Sequence, residues 1–576
     1  MKRDLMRLGF PVFLLVLTCA SGAPGAATAE PAEDRPVALP PFMVEEMAKG
    51  PPWRYAEAMG YEILSRCDDG ITRRVVEAHY QLHVLLAEML PPSLRFTVSV
   101  PRTLILYDEE LQPASSKEVI SRVMRNTSAA EPADDYVSPG GARGLRVALP
   151  TRRFSSLPNL RLWDRDAMAV FMIVRRDEFD RLSLTHDYVS FLVKNRLPAL
   201  PPWFVSGILT LYGQTTYGGN RLELAPLEWI SEAHTEALKK DPKTAPPVRP
   251  LDEFLVNKFV AHDGAQTYEP IKAWQAQAAL FMRWGLDAEK GARRAAFWKY
   301  AERSAVEGTS EPLFQACFGL GYAAAQAQLV AYLPNAVRRT VFFKPAHPAK
   351  LPPILLRNAN DGQISRIKGD WERMEVPYVK AISADLAPKY LEQARKTLRR
   401  AYDRDERDPR LLAVMGLCES DAGNDQGARE FFEAAVKIGP IRPRANYELA
   451  RLRYAEFRAN SAGSGSRISL AQQVDVLTPL FAARADQPPL PEVYELIAEV
   501  WAHGASPPTR GHLAVLDEGV RLFPRRTALA LRAAELNLQY GFRAEAAALA
   551  EIAARTAGDP TSRERAAALL EKSAPR

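Results

Sequence analysis

The stretch "LTHDYVSFLVKNRLPALPPWFVSG", residues 184–207, decides how the first half of this chain is read. Apolar residues at helical spacing predict a helix over about 178–196, a proline-broken turn follows, and a second helix is expected from near Trp203. The polar residues in this frame are few. His186 and Asp187 are adjacent, Ser190 lies one turn beyond His186, and Ser206 falls at the start of the second helix.

Working outward, "AVFMIV" (169–174), "RTLILYD" (102–108) and "YEILSR" (61–66) read as strands from their branched and alternating residues. "GITRRVVEAHYQLHVLLAEML" (70–90) reads as a helix stopped by Pro91 and Pro92. From Trp203 to "LVAYLP" (329–334) the pattern is mainly helical, so residues 55–335 are expected to form one α+β domain. Residues 336–375, with "RRTVFFKP", "PPILLRN" and "GQISRIKGDW", read as short extended pieces, a β-rich connector or clasp. Beyond 376 the chain is helical and alanine-rich to residue 576.

Apolar residues make up 47% and charged residues 25% of the 576, the balance of a globular protein. The net charge of +6 comes from 75 basic and 69 acidic residues intermixed, without a basic stripe interleaved with aromatics, so nucleic acid is not implied. "MKRDLMR", the short apolar run "LGFPVFLLVLTCA" and "ATA" (27–29) form a signal-peptide pattern over 1–29, followed by a proline-rich linker over 30–54. The expected location is therefore periplasmic or extracellular, with no transmembrane segment after cleavage. Lipidation of Cys19 is the alternative, which Thr18 disfavours. Cys67, Cys317 and Cys418 are too few for a disulfide framework; one bridge is open, and buried thiols fit better.

A zinc site of the H-E-x-x-H type needs two histidines four residues apart on one helical face and a glutamate that takes a proton from the metal-bound water. A third ligand from a following helix leaves one coordination position open for water. On Leu200, Pro201, Trp203 and Gly207, and on the order of elements before them, residues 55–335 resemble the peptidase-MA-like gluzincin domains of exported bacterial proteins. The resemblance places His186 as first ligand, Asp187 where the catalytic Glu stands, Ser190 where the second His stands, and Ser206 where the third-ligand Glu stands. A neutral serine hydroxyl is a poor zinc ligand. The four positions are thus expected to be vestigial, with no catalytic residue, no bound zinc and no other cofactor.

Other candidates carry less. His79 and His83 have ligand spacing, but Tyr80 stands where a catalytic Glu would, so both are expected as surface or core histidines. Asp68 and Asp69 beside Gly70 read as a turn and helix cap. "VSGI" lacks the first glycine of a nucleophile elbow.

In the C-terminal third, Leu412, Met415, Gly416, Ala428, Phe432, Ala435 and Pro440 stand at the separations of a 34-residue tetratricopeptide unit. Ala394, Leu398 and Ala401 match the second helix of a preceding unit, and "NSAGSGSR" (460–467) interrupts the series. Residues 376–576 therefore resemble a tetratricopeptide solenoid of four to five repeats. The expected fold class is an α+β gluzincin-like domain followed by an all-α solenoid. The expected function is a non-catalytic pseudo-peptidase and scaffold that binds a protein or peptide through the solenoid groove. The alternative is a residual zinc metallopeptidase that completes a site around His186 with a distant ligand such as His234 or His262.

Overall fold

A computed structural model describes residues 51–87, 90, 102–108, 159–174, 193, 200–213, 215–218, 221–244, 248–256, 268–344, 352–382, 384–462 and 467–574. The expected signal segment, nearly all of the linker, Cys19 and His262 lie outside them. So does the expected helix 178–196, apart from Val193.

The described residues are mostly helical, with a mixed β-sheet near the N-terminus. Its strands are β1 (Arg54–Ala58), β2 (Tyr61–Ser65), β3 (Arg102–Asp108), β4 (Asn159–Trp163), β5 (Met168–Val174) and β9 (Arg357–Asn358). They lie in the order β4-β5-β3-β2-β1-β9. β2, β3 and β5 run parallel in the middle, with Leu104 opposite Val170 and Ile63 opposite Leu104. The outer pairings are antiparallel. Parallel strands are stable when both faces are covered, and here they are. Ile63, Leu104, Leu106, Val170, Met172 and Val174 face a core shared with helix α1 (Asp69–Ala87) and the helices that follow. The alternate residues Leu64, Ile105, Ala169 and Phe171 face Ile367, Trp371 and Met374 on the opposite side.

Between the two, α2 (Pro202–Gly213) leads into a hairpin, β6 (Thr215–Gly218) and β7 (Arg221–Leu224), which the expectation of mainly helical sequence overlooked. β7 also pairs with β8 (Val341–Phe343). The helices α3 (Glu232–Lys240), α4 (Leu251–Phe254), α5 (Tyr268–Asp287), α6 (Arg294–Glu307), α7 (Glu311–Phe318) and α8 (Tyr322–Ala336) surround an aromatic core.

The expected connector 336–375 is corrected in part. β8 and β9 do clasp back, one onto each sheet, but "GQISRIKGDW" is not extended. It belongs to helix α9 (Asp361–Ile382), so the helical array begins at Asp361 rather than 376. The reason is spacing: Ile364, Ile367, Trp371 and Met374 recur at three and four residues and bury one stripe under the sheet. Gly369 is there for close approach, since a Cβ would sit 2.5 Å from the Leu398 side chain.

From α9 on, helical hairpins are stacked in series: α10 (Ala387–Tyr402), α11 (Pro409–Asp421), α12 (Asp425–Ile438), α13 (Pro443–Ala462), α14 (Leu470–Ala485), α15 (Pro491–His503), α16 (Arg510–Leu522), α17 (Thr527–Gln539), α18 (Arg543–Thr556) and α19 (Pro560–Ser573). The odd-numbered helices α9 to α19 pack successively on one another as one layer, and each from α9 to α17 pairs with the even-numbered helix that follows it. Gly416 of α11 lets Phe432 of α12 close in, for a Cβ there would lie 2.5 Å from the ring. Ala394, Leu398, Ala401, Ala428, Phe432 and Ala435 are all buried at these contacts. Of the expected insertion 460–467, residues 460–462 close α13, and 463–466 lie outside the described residues.

Candidate functional site

The "LPPW" turn and the helix after it are fully described. Leu200, Pro201 and Trp203 are buried, and the Phe204 and Val205 amides donate to the Pro201 carbonyl at 3.0 and 3.1 Å to start α2. Pro202 suits the first helical position, where its missing N–H costs nothing. The Trp203 ring stacks on Tyr300 at 5.6 Å between centroids and meets Phe281 at 5.1 Å edge-on. A Cβ on Gly207 would lie 2.7 Å from the Ala278 carbonyl oxygen, so α2 crosses α5 at contact distance there. Packing thus accounts for both Trp203 and Gly207.

Ser206 stands between them in a helix without a charged side chain. Its Oγ is buried with no hydrogen-bond partner, and so is Thr210 Oγ1 one turn further on. This surface offers no anionic oxygen to a cation. His186, Asp187 and Ser190 lie outside the described residues. Among the described residues, no group of three or more His, Cys, Asp and Glu side chains is arranged to hold a metal ion.

His79 is buried on α1 with its ring edge-on to Tyr61 at 6.3 Å, the position of a core histidine. His234 is exposed in the first turn of α3, where its Nδ1 is 2.7 Å from the Ser231 hydroxyl that caps the helix. Asp68 caps α1 by accepting the Ile71 amide at 2.8 Å, and Asp69 takes a two-pronged Arg54 at 2.8 and 2.9 Å. Cys67, Cys317 and Cys418 are free thiols. Burial pushes the Cys418 thiol up to about 12, which keeps it protonated and unreactive at neutral pH.

The sequence reasoning passed over the polar seam between the sheet and the array, whose charges lie far apart along the chain. The turn between β4 and β5 is Asp164-Arg165-Asp166, closed by the Asp164 amide on the Ala167 carbonyl at 2.8 Å. Arg373 of α9 donates to Asp164 at 2.6 Å, to Asp370 at 2.7 Å and to Asp421 of α11 at 2.9 Å. Arg442, just before α13, reaches Asp166 Oδ1 at 2.9 Å, Asp164 at 3.2 Å and Asp370 at 3.0 Å. Arg444 gives its backbone amide to Asp166 at 2.8 Å and its guanidinium to Asp164 and, at 2.9 Å, to Asp421. The Arg373 side chain is 2% exposed, those of Arg442 and Arg444 11% each. Burial alone would raise the Asp164 pKa, but the three guanidinium groups hold it well below the usual carboxylate range. A second clamp lies along the same layer. Arg366 of α9 forms a buried pair with Glu62 of β2, while Arg410 of α11 reaches Glu57 at 2.9 Å. The only sequence signal for this seam was charge in unexpected places: two aspartates in a tight turn between apolar strands, and "IRPRAN" opening a helix.

Among the described residues, no helix is long and apolar enough to cross a membrane. The chain matches no family model, and no curated protein is significantly similar to it.

Proposed function

We propose that this is an exported, non-catalytic scaffold, in which a gluzincin-like domain with a degenerate site is joined to a tetratricopeptide solenoid that binds a protein or peptide. The observation that carries the non-catalytic half is Ser206. Where the resemblance puts the third zinc ligand, Ser206 presents a buried, unpartnered hydroxyl on an uncharged helix. Zinc hydrolysis needs three ligands and a base that receives the water's proton, and the chain offers Ser190, Ser206 and Asp187 at three of those four places. The binding half is supported by the close helix pairs at Gly416 and Phe432 and at Gly369 and Leu398. These are what a repeat with small residues at its helix crossings requires. Stacked pairs present a continuous layer of first helices, the surface on which such arrays take extended or turn-like ligands.

Two measurements on the purified mature chain test the reading. Metal analysis should find no stoichiometric zinc; zinc at one per chain, lost on His186→Ala, overturns the non-catalytic assignment. As bait in a periplasmic extract, the chain should retain a defined protein or peptide in competition with free bait, and retention of nothing removes the scaffold role.

A further inference from the structure

Two buried carboxyls of α9, Glu372 and Glu375, stand outside the charged seam. Glu372 is 0% exposed and Glu375 9%. Neither Glu372 oxygen has a hydrogen-bond partner among the described residues. Of the Glu375 oxygens only Oε1 has one, the Trp371 indole N–H at 2.8 Å. Gln393 and Thr397 of α10 lie beside Glu372 but bond to each other, the amide donating to the hydroxyl at 3.1 Å. Burial acts on Glu372 more strongly than Lys368, the cation one turn before it. A carboxylate covered in this way is costly, so both groups stay neutral for as long as they stay buried.

The pair lies on the helix that joins the sheet to the array. Trp371, which donates to Glu375, packs on Phe171 of β5 at 5.7 Å between ring centroids. Tyr107 of β3 and Tyr390 of α10 are the phenols that face the pair. Burial keeps both protonated; the Glu372 charge adds to this at Tyr107, where Arg66 opposes it, and the Glu375 charge adds to it at Tyr390. The other elements against α9 bring Asp164, Arg410 and Asp421, which serve the ion pairs of Arg373 and Arg366, and Asp385, which is exposed.

We propose that α9 is a pH-sensitive joint between the sheet and the array, closed while Glu372 and Glu375 keep their protons and opening locally as they lose them. Opening brings both carboxyls into water, where they ionise in the ordinary range. The open state therefore gains on the closed one as pH rises, until the carboxyls ionise in the closed state as well. The ion pairs on the same helix set how rarely the joint opens and leave this response alone. Against burial, arginines hold Asp164 and Glu62 below their ordinary range, so neither titrates above neutrality. The opening is local because the apolar contact at the joint, of Leu64, Ile105 and Phe171 with Ile367, Trp371 and Met374, is separate from the core of the later helices. Each hairpin of a stacked array touches only its neighbours, so one end opens without the other.

Hydrogen–deuterium exchange of the full protein tests this, read as protection relative to the intrinsic rate at each pH. The closed-state carboxyls titrate at about 7 and about 8, against about 4.5 in the open state. Protection of residues 361–382 should therefore fall about five hundredfold from pH 6 to pH 8 in the wild type. It should fall about tenfold in Glu375→Gln and stay level in Glu372→Gln/Glu375→Gln. Residues 527–573, which span α17 to α19, should keep their protection in all three. An equal loss over 527–573 would mark global unfolding and overturn the proposal, as would constant protection of 361–382. The wild type decides both of these by itself. If the double variant does not fold, Glu375→Gln serves as the control, and a fall as large as that of the wild type overturns the proposal in turn.

Discussion

Replacing Glu375 with glutamine should flatten the dependence of stability on pH between about 5 and 8. Glu372 and Glu375 lie one turn apart on α9, both buried. Burial pushes the Glu372 carboxyl up to about 7, against the opposing influence of Thr397, Lys368 and Gln393. Burial pushes Glu375 up to about 8, and the neighbouring Glu372 charge adds to this, while the Trp371 indole N–H, donating at 2.8 Å, opposes it. Tyr390 is the remaining titratable neighbour, and the Glu375 charge helps keep it protonated. In the unfolded chain both carboxyls return to about 4.5. Below that pH both states are protonated, and these groups cost the native state nothing. As pH rises toward 8 the unfolded chain releases the Glu375 proton while the native state keeps it, so stability falls by about 1.4 kcal/mol per pH unit. At pH 7 the accumulated loss from Glu375 alone is about 3 kcal/mol. Carboxylates held low by arginine, such as Asp164, change stability only as pH falls through the acid range and drop out of this window.

The assay is the urea-unfolding midpoint, followed by tryptophan fluorescence across that window. The wild-type midpoint should fall steadily, and that of Glu375→Gln should fall about half as steeply up to pH 7 and hardly at all from there to 8, because glutamine keeps the acceptor for Trp371 without the ionisation. The residual slope belongs to Glu372. Parallel profiles for the two proteins would refute the assignment of buried, protonated carboxyls to α9.

Gly416→Ala should destabilise the array by about 1–3 kcal/mol although alanine is the better helix former, because its Cβ would press into the Phe432 ring; a raised melting temperature would contradict the close crossing. Ser206→Ala should leave stability unchanged or raise it by about 1 kcal/mol, since the hydroxyl it removes is buried without a partner; a clear loss by thermal melting would mean that the hydroxyl is in use. Arg366→Met should cost about 3–5 kcal/mol by stranding Glu62 in the interior, and Arg366→Met/Glu62→Leu should recover most of it. A double-mutant cycle showing no coupling would count against the pair.

What the residues state locally was legible. Tyr61–Ser65, Arg102–Asp108 and Met168–Val174 are strands where branched and alternating residues put them, and α1 begins where Asp68 caps it. The crossing of Gly416 with Phe432 was visible because a helix pair fixes its spacing, whereas that of Gly369 with Leu398 was not, because Gly369 lay in a segment read as extended. The short strands β1, β4, β6 and β7 were not seen, since four or five residues carry too little pattern to outweigh their charges and glycines. α9 was misread for a similar reason: Gly362, Gly369 and Pro377 interrupt its sequence. Its apolar stripe makes sense only once a sheet face is there to receive it.

The site divides in the same way. From sequence alone, Ser206 could be placed at the head of a helix after a proline turn, because that depends on neighbours in the chain. That its hydroxyl would be buried without a partner is a tertiary fact. The pairing within the charged seam was beyond sequence reasoning. Asp166 and Arg444 are separated by 278 residues, and in a sequence each is an ordinary solvated charge. Only the folded chain, by taking water away from both, makes each the other's required partner.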